Sequence, residues 1–372
     1  MKTFSDLGIS PKLVKGLTEL GIINPTEIQE QAIPVLLEKP TDFVGQAQTG
    51  TGKTAAYGLP MLELINASKN HVQALVLCPT RELAMQVSKQ LFKFTKYSDK
   101  IFSETVYGGA QIDKQIKALQ RPTHIIVATP GRLVDLMKKK VVDLTNVKTV
   151  VLDEADEMLN MGFKKDLDTI LSALPATKNR WLFSATLPEG IRQIINSHLS
   201  SNSIKIKVSG KNVVNKKIEH KYILVEDADK LTTLLQYLKF KGKERGIVFC
   251  KTKNTTKTLA KQLIAKNISA DAIHGDLLQK ERDKVMRAFK NESLRILVAT
   301  DLTARGIDVE DLAFVVHYEL PSQDEFYTHR SGRTARAGKE GMSLAIVNSK
   351  ELKQLRFFEK TLGISFSQIR QK

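Results

Sequence analysis

The chain has 372 residues and 41.6 kDa, long for one core and sufficient for two domains of roughly 150 to 200 residues each. Hydrophobic residues at 42% and charged residues at 26% exclude a disordered chain. No apolar run nears the roughly 20 residues of a membrane span, and the first ten residues, MKTFSDLGIS, are too polar for a signal peptide.

The two cysteines, Cys78 and Cys250, are too few for a disulfide framework, so a reducing cytoplasm is expected. With 57 Lys+Arg against 40 Asp+Glu the net charge is +17, and an anionic polymer is a natural partner. Residues 1–210 hold 26 basic and 20 acidic side chains (+6) and residues 211–372 hold 31 and 20 (+11). Aromatic residues are only 6%, too few for an extended base-stacking surface, so contacts to a nucleic acid should favour phosphate and sugar.

Along the chain, short apolar runs alternate with longer helical patterns, the signature of βαβ units around a parallel sheet. The first strand leads into Asp42-Phe-Val-Gly-Gln-Ala-Gln-Thr-Gly-Thr-Gly-Lys-Thr54, which reads as strand, glycine-rich loop and helix start, a Walker A loop with Ala47 in the first glycine position. Around Thr49, Gly50, Thr51 and Gly52 the backbone N–H groups can approach phosphate oxygens, with the helix N-terminus adding a favourable dipole. Lys53 can reach β- and γ-phosphates, and the Thr54 hydroxyl can sit on Mg²⁺. Next come Ala74–Cys78, the turn Tyr107-Gly108-Gly109 and Ile125–Thr129. The run Thr149–Leu152 then ends in Asp153-Glu-Ala-Asp156, carboxylates at the C-terminal edge of a buried strand. There Asp153 can hold Mg²⁺ through water and Glu154 can orient or deprotonate the attacking water.

After Trp181–Phe183 the pattern starts again. A polar stretch around Ser200 to Lys217 is the expected linker, placed at 209–217 between domains 1–208 and 218–372. Gly246–Cys250 parallels Ala74–Cys78, Ile296–Thr300 parallels Ile125–Thr129, His274-Gly275-Asp276 parallels the earlier turn, and Phe314–His317 and Ser343–Val347 follow in the same order. Their shared order implies two copies of one α/β fold.

Taken together these motifs resemble the DEAD-box RNA helicases of superfamily two over nearly the whole chain. Phe4 and Gly21-Ile-Ile-Asn-Pro-Thr-Glu-Ile-Gln29 are similar to that family's Q motif. The resemblance implies that Gln29 reads the adenine edge and Phe4 covers the base; an amide suits adenine N6 and N7 together.

It further implies RNA-backbone contacts at Pro79, Thr80, Arg81, Gly108, Gly109, Thr129 and Arg132, coupling of the two domains through Ser184, Thr186 and Arg305, an RNA contact at Thr300 and a ribose contact at Asp308. Arg333 and Arg336, in His329-Arg-Ser-Gly-Arg-Thr-Ala-Arg336, would act on the γ-phosphate as arginine fingers, and their spacing of three suggests one helical face. Ser331, Ala335 and Glu319 stand where the family more often has isoleucine, glycine and aspartate.

The fold implied is two tandem RecA-like α/β domains. The activity implied is ATP hydrolysis with Mg²⁺, coupled to local separation of RNA strands, by a cytoplasmic monomer that other proteins recruit. A rival reading is an ATP-gated RNA clamp. The seven histidines show no zinc-type spacing.

Overall fold

The computed structural model describes residues 2–48, 50–174, 178–208, 217–304, 312–335 and 340–369, without the side chains of residues 302, 304 and 325. Thr49, Arg305, Asp308, Arg336 and residues 209–216 of the expected linker lie outside the described residues. The chain divides into two compact units, Met1–Gly210 and Lys211–Lys372.

In the first unit the strands are β1 (Phe43–Gln46), β2 (Ala74–Leu77), β3 (Ser103–Val106), β4 (Ile125–Ala128), β5 (Thr149–Leu152), β6 (Asn179–Ser184) and β7 (Ile204–Lys207). They form one parallel sheet in the order β3-β4-β2-β5-β6-β1-β7. The second unit repeats the design with β8 (Ile218–Leu224), β9 (Gly246–Cys250), β10 (Ala270–Ile273), β11 (Ile296–Thr300), β12 (Phe314–His317), β13 (Gly341–Val347) and β14 (Ser367–Gln368). Its order is β10-β11-β9-β12-β13-β8-β14, again parallel. Position for position, β2 answers to β9, β4 to β11, β5 to β12 and β6 to β13, the pairs that the sequence repeat contains.

Continuous apolar strands follow from helices on both faces of a parallel sheet. Alternate side chains of each strand enter different cores: Val76, Ile125, Val127, Val151 and Phe183 pack on one face of the first sheet, and Leu75, Leu77, Ile126, Val150 and Leu182 on the other. Burial of this kind contributes roughly 25 cal/mol per Å² of apolar surface and is the main force holding each unit. Asp42 ties β6 and β7 to the entrance of β1, its carboxylate accepting from the N–H groups of Arg180 (2.9 Å) and Ser200 (2.7 Å) and its carbonyl from the N–H of Ile204 (2.9 Å).

The polar stretch leading to the expected linker at 209–217 holds an edge strand. Residues Ile204–Lys207 pair with β1, because Ile-Lys-Ile-Lys alternates half-buried isoleucines with exposed lysines, which suits a strand with one covered face and a charged edge. The expected helical face for Arg333 does not form either. That helix spans Asp324–Ser331, Gly332 closes it, and Arg333 lies in the following turn, where Ala335 has a φ of +56°.

Candidate functional site

In a parallel sheet the strands all point one way, so the loops after β1, β2, β4 and β5 gather at one edge. The turn after β1 closes on Gly52, which caps the helix Lys53–Glu63 in the left-handed region with φ +88°. A Cβ at Gly52 would lie 2.4 Å from Gln29 Nε2, so glycine is needed there for space as well as for backbone angle.

Gln29 is 3% exposed and grips this turn: its Nε2 donates to the Gly52 carbonyl (2.9 Å), while its Oε1 accepts from the Thr26 N–H (2.9 Å). Thr26 Oγ1 donates to the Thr51 carbonyl (2.8 Å). The Thr26-Glu-Ile-Gln29 pattern of a capping box therefore serves partly to hold the glycine loop. Each amide atom of Gln29 keeps one further hydrogen-bonding position, enough for an adenine edge. Phe4, the expected cover of the base, is 2% exposed and belongs to the apolar core of the first unit.

Lys53 is buried at the start of the helix, and its Nζ donates to the Ala47 carbonyl (3.1 Å) across the loop. Beneath it, Asp153 at the end of β5 is 3% exposed. Its Oδ2 accepts from the Tyr57 hydroxyl (2.8 Å), and Oδ1 is buried with no hydrogen-bond partner among the described residues. Burial raises the Asp153 pKa, and the positive charge of Lys53 opposes that rise. Burial and then the Asp153 carboxylate push the Tyr57 hydroxyl far up, so it stays a donor. The same two causes push up the Cys78 thiol, which is thereby kept from being a nucleophile.

An orphaned carboxylate oxygen beside a phosphate-type loop fits a hard divalent cation, and Mg²⁺ commonly takes only one or two carboxylates together with water and phosphate. Among the described residues no group of three or more His, Cys, Asp or Glu side chains could hold a metal by itself. Asp153, with the half-buried Thr54, is the donor set that remains.

Glu154 follows in the left-handed region (φ +51°, ψ +52°) and starts the helix Ala155–Asn160. A glutamate at such angles is strained by of order 1 kcal/mol. The fourth residue of the run, Asp156, accepts from the Thr186 N–H and Thr186 Oγ1 (both 2.9 Å). The Asp156 N–H donates to Ser184 Oγ (3.2 Å), and that hydroxyl donates to the Thr186 carbonyl (2.7 Å). Ser184 and Thr186 are thus bonded directly to the carboxylate run.

Thr80 caps the helix Arg81–Phe94, accepting from Leu83 N–H (3.2 Å), with Pro79 buried before it. The Arg81 guanidinium lies 4.7 Å from the Tyr107 ring centre. Gly108 and Gly109 are exposed, and the Gly108 N–H donates to Thr129 Oγ1 (3.3 Å). Arg132 donates through Nη1 to Gln115 Oε1 (2.9 Å) and through Nη2 to the Ala110 carbonyl (3.1 Å), while Gln115 Nε2 donates to the Tyr107 carbonyl (3.1 Å). Arg132 therefore braces the glycine turn. Sequence reading missed Gln115 and Tyr57, which carry no motif, and Thr26, whose capping-box spacing is a usable signal.

In the second unit, Thr300 ends β11, and its Oγ1 lies 3.0 Å from Thr303 Oγ1. Arg330 is 1% exposed, pairs both carboxylate oxygens of Asp301, and donates to the Glu319 carbonyl (2.7 Å). Glu319 also accepts from the Lys251 N–H (2.7 Å), so its longer side chain has a partner of its own. Arg330 anchors the turn that carries Arg333.

The DEAD/DEAH box helicase family matches residues 26–194, and the helicase conserved C-terminal domain matches residues 229–338. The chain is 44% identical over 361 residues to the ATP-dependent RNA helicase CshA of Listeria monocytogenes, an alignment covering 97% of this chain and 69% of that protein. It is 43% identical to the DEAD-box ATP-dependent RNA helicase CshA of Geobacillus kaustophilus, covering 97% and 77%. Among solved structures, Saccharomyces cerevisiae Dbp5 bound to RNA and ADP BeF3 matches with a TM-score of 0.89 at 32% identity, covering 99% of this chain and 96% of that one. The two repeated sheets are accordingly tandem RecA-like domains, and with a glycine loop on Gln29 and an Asp-Glu-Ala-Asp run that opens on the buried Asp153, this chain belongs to the DEAD-box helicases.

Proposed function

We propose that the chain is an ATP-dependent RNA helicase that couples ATP hydrolysis to local separation of RNA strands or remodelling of RNA-protein complexes. The observation that carries this reading is the pair formed by buried Lys53 and the orphaned Oδ1 of Asp153 at the foot of the glycine loop. In this reading, N–H groups of residues 49 to 52, Lys53 and Thr54 take the phosphates, and Gln29 takes the adenine edge. Asp153 and Thr54 hold Mg²⁺, partly through water, and the ion neutralises phosphate charge. Glu154 positions the attacking water and receives its proton.

Arg333, Arg336 and Asp308 are proposed nucleotide contacts. Thr80, Arg81, Gly108, Gly109, Thr129 and Thr300 are proposed contacts to RNA phosphate and sugar, which carry little sequence information. Arg132 is proposed to help by shaping the glycine turn. Ser184 and Thr186, bonded to Asp156, are proposed to couple the carboxylates to the second unit, with Arg305. Domain limits of 1–208 and 218–372, action as a cytoplasmic monomer and recruitment by partner proteins belong to the same proposal.

Glu154→Gln keeps size and hydrogen bonding but removes the base. ATP binding should persist, hydrolysis should slow by roughly a hundredfold or more, and RNA should be retained longer. Turnover and displacement of a short RNA duplex, measured side by side, check this. Loss of ATP binding would make Glu154 structural, and vigorous turnover without displacement would favour the clamp.

A further inference from the structure

Tyr57 has no place in the phosphate loop or the carboxylate run, yet it touches both. It lies one turn into the helix that Lys53 begins, is fully buried, and directs its hydroxyl at Asp153 Oδ2 (2.8 Å). Its ring is held on the other side by Phe183 of β6, with ring centres 5.3 Å apart. Two elements therefore fix where the hydroxyl points.

Asp153 is the residue that benefits. Its two oxygens are inequivalent: Oδ2 has a donor, and Oδ1 is buried with none among the described residues. A carboxylate with one oxygen clamped has lost its rotation before any ligand arrives and presents the other oxygen in a fixed direction. The packing of a phenylalanine would fill the same space without doing this.

We propose that Tyr57 is a positioning residue for the divalent cation, holding Asp153 through Oδ2 so that Oδ1 faces the metal or its water shell. This rests on the reading of Asp153 as the magnesium carboxylate. The hydroxyl adds nothing to the reaction itself; it sets the cation concentration at which the site fills.

The test is Tyr57→Phe, which removes one oxygen atom from a packed ring, measured in the full chain with a fluorescent ADP analogue titrated at fixed and varied Mg²⁺. The half-saturating Mg²⁺ concentration should rise about tenfold, the lower end of effects seen for partners of metal-binding side chains. Affinity for the analogue in excess EDTA should be unchanged. Mn²⁺ titrated in place of Mg²⁺ and followed by electron paramagnetic resonance should show the same shift, a readout independent of turnover.

Asp153→Asn is measured in parallel. If Asp153→Asn shifts the Mg²⁺ midpoint and Tyr57→Phe does not, even with a lowered melting temperature, the hydroxyl is structural and the inference fails. If neither substitution shifts it, the metal reading of Asp153 fails and this inference with it.

Discussion

The two units share one strand order, but the same topological positions carry opposite chemistry. After β1 the first unit has a glycine loop and a helix beginning at Lys53. After β8, the equivalent strand, the second has Glu226, Asp227 and Asp229 before a helix beginning at Lys230.

Both lysines are buried, and their surroundings differ. Lys53 donates to a carbonyl and faces a phosphate-type loop, whereas Lys230 is held by Glu351 (2.8 Å) and Asp227 (3.1 Å), and Asn348 donates to Asp227 as well. After β5 stands Asp153 with an open oxygen; after β12 stands Glu319, whose carboxylate accepts from the Lys251 backbone N–H and whose backbone carbonyl accepts from Arg330. A duplicated sheet thus supplies two equivalent edges, and the loops decide that one collects anions while the other is filled with its own.

The largest expected effect breaks that asymmetry. Lys53→Ala should abolish ATP turnover with little loss of folding, since it removes a phosphate ligand from a loop. Lys230→Ala should do the reverse: it removes the buried cation from Glu351 and Asp227 and should cost about 2 kcal/mol of second-unit stability while leaving ADP affinity alone. Urea unfolding beside ATPase assays separates the two, and turnover near wild type in Lys53→Ala would defeat the assignment of the loop.

Acid should weaken the second unit. His220 is buried, its Nδ1 lies 2.7 Å from the Tyr327 hydroxyl, and burial lowers its pKa from 6.5 to about 4. His317, fully buried and stacked on Tyr327, is also pushed down, by burial first and then by the Arg330 and His220 charges. For His220 the folded pKa lies below the unfolded one, so the unfolded chain binds the extra proton first. Stability is therefore whole above pH 6.5 and declines as pH falls toward 4, by about 3 kcal/mol from this group. Circular dichroism should report this loss at higher pH than fluorescence of Trp181, which lies in the first unit. In His220→Gln the slope should flatten, and a slope equal to wild type would remove His220 as its source.

A smaller effect sharpens the role of Gln29. Gly52→Ala places a methyl carbon 2.4 Å from Gln29 Nε2 at a φ of +88°. Strain of about 1 to 2 kcal/mol should weaken nucleotide binding roughly tenfold. Calorimetric titration with ADP checks it, and unchanged affinity would mean that the loop gives way without cost.

Much of this was legible in the sequence because strands buried on both faces leave continuous apolar runs: Ala74–Cys78 and Gly246–Cys250 mark β2 and β9 without ambiguity. The glycine loop and the Asp153 run were legible because their residue types are unusual for ordinary strand ends. Tyr57 was not, since Ala-Ala-Tyr-Gly-Leu-Pro reads as plain core and only the fold brings its hydroxyl to Asp153, 96 residues away. Nor was the end of the helix before Arg333 legible, where spacing alone continued a helix that Gly332 closes. Ile204–Lys207, in the polar stretch that leads to the expected linker at 209–217, was not legible as a strand because its lysines hide an edge strand's alternation.

The central claim is that two copies of one fold provide a single nucleotide site, and binding stoichiometry tests it most directly. Equilibrium dialysis of radiolabelled ADP with Mg²⁺ against the intact chain should give one nucleotide per chain, sharply weakened in Lys53→Ala and unaltered in Lys230→Ala. Two nucleotides per chain, or binding lost in Lys230→Ala and kept in Lys53→Ala, would contradict it.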